Sequence, residues 1–184
     1  LWRTLVPLPM HRVEALADLG LIEISTDRRV PHHRRSVRAN DRLVEIASGE
    51  VRVDGDIREV ARIGESSIHG SVAADELADA VRASTTAPML LAVGPVGSGR
   101  ATLLKQIARA LEARLLEIQT SRLARDLGTL ERQLKAIARE ATLFDVIPVF
   151  SGIDEDAEHP VIGALGSALR TYAGPVFCSA RNAI

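Results

Sequence analysis

From residue 88 onward, short apolar runs alternate with stretches whose apolar residues recur every three or four positions. The runs Met89–Val93, Leu115–Ile118, Val146–Phe150 and Val176–Cys178 predict strands buried on both faces, and the stretches between them predict helices. Thr102 to Ala113 is amphipathic. Leu123, Leu127, Leu130, Leu134, Ile137 and Ala141 mark one buried helix face, with Gly128 as a candidate break between two pieces. Val161, Ile162, Leu165, Leu169 and Tyr172 mark another. Strands alternating with helices imply an α/β fold, a parallel sheet covered by helices on both faces. Pro148 falls inside the third strand, where proline removes a ladder donor, and predicts a bulge or a locally broken ladder.

The first part of the chain has a different rhythm. Residues 1–63 read as a small α+β module. Pro7 and Pro9 mark an irregular start, Met10 to Leu19 a short helix, and Gly20 its stop. Leu21–Ile24 alternates as a strand, Asp27-Arg28-Arg29 makes a turn, and Val30 begins a return strand. Asn40 or Asp41 caps a second helix that runs to Ala47 and ends at Gly49. Ile57–Ile63 predicts a third. Residues 64–74, rich in Gly and Ser, read as a linker, and 75–184 as the second domain, opened by a helix over Asp75–Arg82.

Composition narrows the classes. With 46% hydrophobic and 26% charged residues, the 184-residue chain is globular and large enough for a core plus a satellite. A net charge of −1 gives no global reason to expect nucleic acid or an acidic membrane. Arg28, Arg29, His32, His33, Arg34, Arg35 and Arg38 do cluster in the predicted hairpin. No helix rich in Arg, Asn and Gln accompanies them, so a solvated or protein-docking hairpin is expected rather than a DNA contact. His32-His33 has no Cys or acid spaced to complete a metal site, and no metal ligands are assigned. The single cysteine, Cys178, excludes an internal disulfide and fits a reducing cytoplasm. No apolar run reaches membrane-spanning length. The chain opens on Leu1-Trp2 and reads as part of something longer.

The chemistry centres on Gly94-Pro95-Val96-Gly97-Ser98-Gly99-Arg100-Ala101-Thr102, between a predicted strand and a predicted helix. That layout is a P-loop. Its glycines let backbone N–H groups turn inward onto phosphate oxygens, and the following helix points the positive end of its dipole at them. Gly94 and Gly99 occupy the two glycine positions, but the usual Lys is Arg100 and the usual Ser/Thr is Ala101. Arginine keeps the charge on a longer, planar fork. Alanine cannot ligate Mg²⁺. Thr102 lies roughly 100° further round the helix, and Lys105 reads as too deep in it to substitute. The cradle therefore predicts ATP or ADP as the ligand, held with little dependence on Mg²⁺. Ser98 lacks the partners of a hydrolase serine, and Cys178, in an apolar strand, is not expected to be a nucleophile.

With Val146–Phe150 followed by Ser151-Gly152-Ile153-Asp154-Glu155, and Val176–Cys178 running into Ser179-Ala180-Arg181-Asn182, the chain resembles the AAA+ ATPase family over residues 75–184. The N-terminal module is similar to the winged-helix domain found before some bacterial members. The resemblance implies a P-loop NTPase fold with five parallel strands. The Met89–Val93 strand would be covered by a fifth, expected after Ile184. It also implies a site built between neighbouring subunits of a ring. Ser151 and Gly152 fall on the family's metal-holding and water-polarising acids, and Asn182 on the polar sensor residue. In a second register Asp154-Glu155 supplies the acid pair. The expected function is a degenerate nucleotide-binding domain with little or no hydrolysis, a cytoplasmic regulatory or scaffolding part of a larger ATPase acting on an unspecified protein. The alternatives are an active ATPase using Asp154 and Glu155, and a winged-helix DNA-binding regulator.

Overall fold

The computed structural model describes residues 10–27, 29–31, 34–49, 52–64, 69–156, 158–169 and 172–182. Pro7, Pro9, Arg28, His32, His33 and residues 65–68 of the expected linker lie outside them. The chain divides into two compact units, Leu1–Arg52 and Val53–Ile184.

In the first unit α1 (Met10–Asp18) is followed by β1 (Ile22–Ile24), β2 (Val37–Ala39) and α2 (Asp41–Ala47). Gly20, at φ 67°, ends α1, donating to Ala17 while Leu21 donates to Leu16. The strands pair antiparallel, Ile22 opposite Ala39. The return strand thus starts at Val37, not Val30. Asn40 caps α2, its side chain accepting from the Arg42 N–H. Arg42 is buried, with its guanidinium on Glu45 and on the Arg52 carbonyl, so its charge has both a counter-ion and an acceptor.

The second unit holds a five-stranded sheet in the order β3-β5-β6-β7-β4. Its elements are β3 (Ala61–Gly64), α3 (Val72–Ala83), β4 (Met89–Val93), α4 (Arg100–Ala110), β5 (Arg114–Gln119), α5 (Leu127–Phe144), β6 (Val146–Ser151), α6 (Val161–Ala168) and β7 (Val176–Ala180). Strands β5, β6, β7 and β4 run parallel; β3 is antiparallel to β5. The expected helix over Ile57–Ile63 is instead a turn and then β3. Ala61 and Ile63 fall opposite Ile118 and Leu116, and Arg62 opposite Glu117. These residues belong to the sheet unit, so the division falls at 52/53 rather than around 63–75. Ser71 caps α3 by accepting from the Ala74 N–H, so the expected linker ends inside this unit.

Ala74 and Ala78 of α3 and Leu104, Ile107 and Ala108 of α4 pack with Leu115, Ile147, Val149 and Phe177 in one core. Helix α5 packs on β6 and α6, burying Leu130, Leu134, Ile137 and Ala141. It starts at Leu127 because Asp126 caps it, accepting the Thr129 N–H at 2.8 Å. Gly128 therefore lies in the first turn and breaks nothing, and Leu127 is exposed. Ile162, expected on the buried face of α6, is also exposed. Pro148 pairs in register with Leu116, but the ladder to β7 starts one residue later, at Val149. The missing donor thus falls before the strand is flanked on that side.

Candidate functional site

Four parallel strands end on the same side of the sheet, at Val93, Gln119, Ser151 and Ala180, where open α/β sheets bind ligands. The ends are tied together by backbone. The Gly94 N–H donates to Ala180 O at 3.2 Å, and those of Gly152 and Ile153 to Ser179 O at 3.0 Å.

Between β4 and α4 the chain turns through Gly97 and Gly99 at φ 85° and 86°, left-handed conformations that favour glycine. A Cβ at Gly94 would come within 2.7 Å of Ser98 Oγ, so that glycine is needed for space, whereas Gly97 and Gly99 face open room. No side chain caps α4. The amides of Gly97, Gly99, Arg100, Ala101 and Thr102 have no acceptor among the described residues. Uncapped amides at a helix start are donors for an anion. Pro95, Val96 and Ser98 are exposed on the loop, and Thr102 is exposed on the outside of α4. Arg100 Nη1 is buried without a hydrogen-bond partner, as is Asp154 Oδ1. An orphaned guanidinium nitrogen beside open amides fits a phosphate.

The acid positions are built differently. β6 runs through Ser151, so Ser151 and Gly152 stand at the strand end and Asp154 and Glu155 lie in the loop beyond. Gly152 is left-handed at φ 70°, and a Cβ there would meet Glu155 Cδ at 2.7 Å. Asp154 Oδ2 accepts the N–H groups of Arg181 at 2.7 Å and Asn182 at 2.9 Å. These bonds, the one from Arg181 first, hold the Asp154 carboxyl below its ordinary value, and the Arg100 charge adds to the effect. Glu155 is paired with the Arg181 guanidinium at 3.0 Å. Asp154 and Glu155 thus latch the β6 loop to the end of β7, with the Asn182 backbone in the latch and its side chain exposed.

Beside Ala101 lies a cavity of about 240 Å³ whose lining includes Arg62, Lys105, Glu117, Ser151 and Ser179. Glu117 bridges Lys105 at 2.8 Å and Arg62 at 2.7 Å. Burial pushes its carboxyl up, but the hydrogen bonds from Lys105 and then Arg62 outweigh that and hold it low. Lys105 is the residue that helix depth alone argued away from the site. Its side chain lines the same cavity as Ala101, a neighbourhood that counting along the helix misses. Glu117 gave one signal, a lone acid inside an apolar strand. Arg62 gives none, because the apolar spacing of Ile57–Ile63 fits a helix. Of the groups lining this cavity, Ala101 offers Mg²⁺ no side-chain oxygen and both Glu117 oxygens are engaged. Among the described residues no three His, Cys, Asp or Glu side chains converge as metal ligands.

The comparisons with known proteins bear on this half of the chain. The sequence model of the AAA family, the ATPase family associated with various cellular activities, matches residues 90–155. That span holds the P-loop and ends at Glu155. The fold is that of the AAA P-loop NTPases. A chain from a study of katanin self-assembly superposes with TM-score 0.51 at 13% identity, over 70% of this chain and 52% of that one. The AAA domain of FIGL-1, solved with ADP, gives TM-score 0.48 at 18% identity, over 67% of this chain and 51% of that one. The chain thus spans about half the length of these solved chains. No curated protein matches it. Among the described residues no helix is long and apolar enough to cross a membrane.

Proposed function

We propose that the Val53–Ile184 unit is a degenerate AAA-type nucleotide-binding domain that holds ATP or ADP with little or no hydrolysis. One observation carries the reading: the phosphate cradle is open while the acids that could drive hydrolysis are tied into structure. The amides at the start of α4 and Arg100 Nη1 lack partners. Phosphoryl transfer is almost entirely positioning and charge stabilisation, and it needs an acid or amide to orient the attacking water. Gly152 offers no side chain, and Glu155 is neutralised by Arg181. In this reading the domain regulates or scaffolds an active ATPase in a larger, cytoplasmic, ring-forming assembly that acts on a protein. The family resemblance supports that context, and the reducing environment suits Cys178. The N-terminal unit is a winged-helix-like docking module, a reading supported by α1 leading into the antiparallel β1–β2 pair.

A phosphate-release assay together with a nucleotide titration tests this. Saturable ADP binding with background turnover is expected. Turnover abolished by Glu155→Gln would instead make Glu155 the water-polarising acid of an active enzyme.

A further inference from the structure

Ala101 and Lys105 are four residues apart on α4 and share a helix face. Both line one cavity, where Ala101 contributes only a methyl. Its ammonium, with the side chain 32% exposed, rests on Glu117 in the wall of the cavity that Ala101, Ser151 and Ser179 also line. Arg62 holds the other Glu117 oxygen. Two cations on one carboxylate leave this wall with an excess of positive charge. The hydroxyls of Ser151 and Ser179 are neutral and leave that excess unbalanced. A divalent ion entering here meets a like-charged ammonium and an engaged carboxylate. A phosphate entering beside Ala101 meets the Lys105 ammonium in the same cavity.

We propose that Lys105 takes over the charge role of the metal, binding nucleotide phosphate directly so that the P-loop holds its ligand without Mg²⁺. Arg62 makes this feasible, because Glu117 stays neutralised when the flexible Lys105 stem turns from it to the phosphate. The inference rests on the nucleotide binding proposed above.

The decisive experiment titrates the whole chain with ADP in EDTA and in excess Mg²⁺, for wild type and Lys105→Met. Wild type is expected to bind equally under both conditions, and Lys105→Met to lose about tenfold in affinity in EDTA. A tenfold gain of wild type with Mg²⁺, or a Lys105→Met chain that binds as tightly as wild type in EDTA, overturns the inference and leaves nucleotide binding standing. Absence of binding by wild type under both conditions overturns the functional reading itself. A second measurement needs no variant. Lys105 and Lys135 are the only lysines, so amine labelling read by mass spectrometry has an internal reference. ADP in EDTA should protect Lys105 and leave Lys135 unchanged; equal labelling of Lys105 with and without bound ADP sinks the proposal.

Discussion

The proposed loss of hydrolysis can be tested at one residue, Gly152. Its φ of 70° lies where an L side chain costs about 1–2 kcal/mol, and the space a Cβ would need is filled by Glu155. A side chain placed here is therefore strained in its backbone and must displace the Glu155 side chain. Gly152→Glu is expected to destabilise the fold by about 1–2 kcal/mol and to leave phosphate release at background. Calorimetry and a turnover assay check both; a stable, active variant would mean the backbone yields. Cys178 makes the opposite point, a reactive group made inert. Burial pushes its thiol up to about 12 from 9.0, so the folded chain holds almost no thiolate near neutrality. A thiol reagent should modify it only on unfolding. Because the folded value is raised, the stability linked to this proton is fully present below 9.0 and is lost as pH climbs toward 12.

At the scale of elements, the latch between the β6 loop and the end of β7 is the connection that sets the site. Asp154→Asn weakens two backbone N–H bonds without changing side-chain size, so amide exchange at Arg181 and Asn182 should quicken while the core strands stay protected. Unchanged exchange there would show that the strand ends hold themselves. Asp154 is depressed below 3.8, so its contribution is present above that value and fades as pH falls through the lower folded one. In α5, Leu134→Ala removes a fully buried side chain from between helix and sheet and should cost about 2–5 kcal/mol in chemical denaturation. Elements with long, periodic apolar patterns were legible in advance: β4 to β7, and α3 to α6 within a few residues. β3 was not. Ile57, Val60, Ala61 and Ile63 fit a helical turn as well as a short strand, and the partner that decides, Glu117, lies 55 residues away from Arg62. The same distance hid half the site. The P-loop is local and could be read directly. The Arg62–Glu117–Lys105 cluster exists only once an antiparallel strand is set beside β5.

At the scale of the molecule, β4 is the exposed flank. It pairs with β7 on one side and, among the described residues, with nothing on the other. Leu90 and Ala92 turn toward the core cluster, while Met89, Leu91 and Val93 are 54%, 41% and 46% exposed. The strand that feeds the P-loop is therefore open along one edge and over one apolar face. Natural sheets blunt such edges with charge, proline or a bulge; Met89-Leu90-Leu91-Ala92-Val93 contains no charge and no proline. Unpaired N–H and C=O groups beside exposed aliphatic side chains favour pairing with a second copy of the same strand. The 184-residue chain is expected to self-associate with rising concentration, and Leu91→Lys to suppress that association while leaving the core, which Leu91 faces away from, intact. Sedimentation of the two chains across a concentration series reads the first effect and thermal unfolding the second. Amide exchange at Leu90 to Val93 should slow as association proceeds. A monodisperse monomer with those amides already protected at low concentration would mean that β4 is covered within the chain itself, and that the sheet order β3-β5-β6-β7-β4 omits a neighbour.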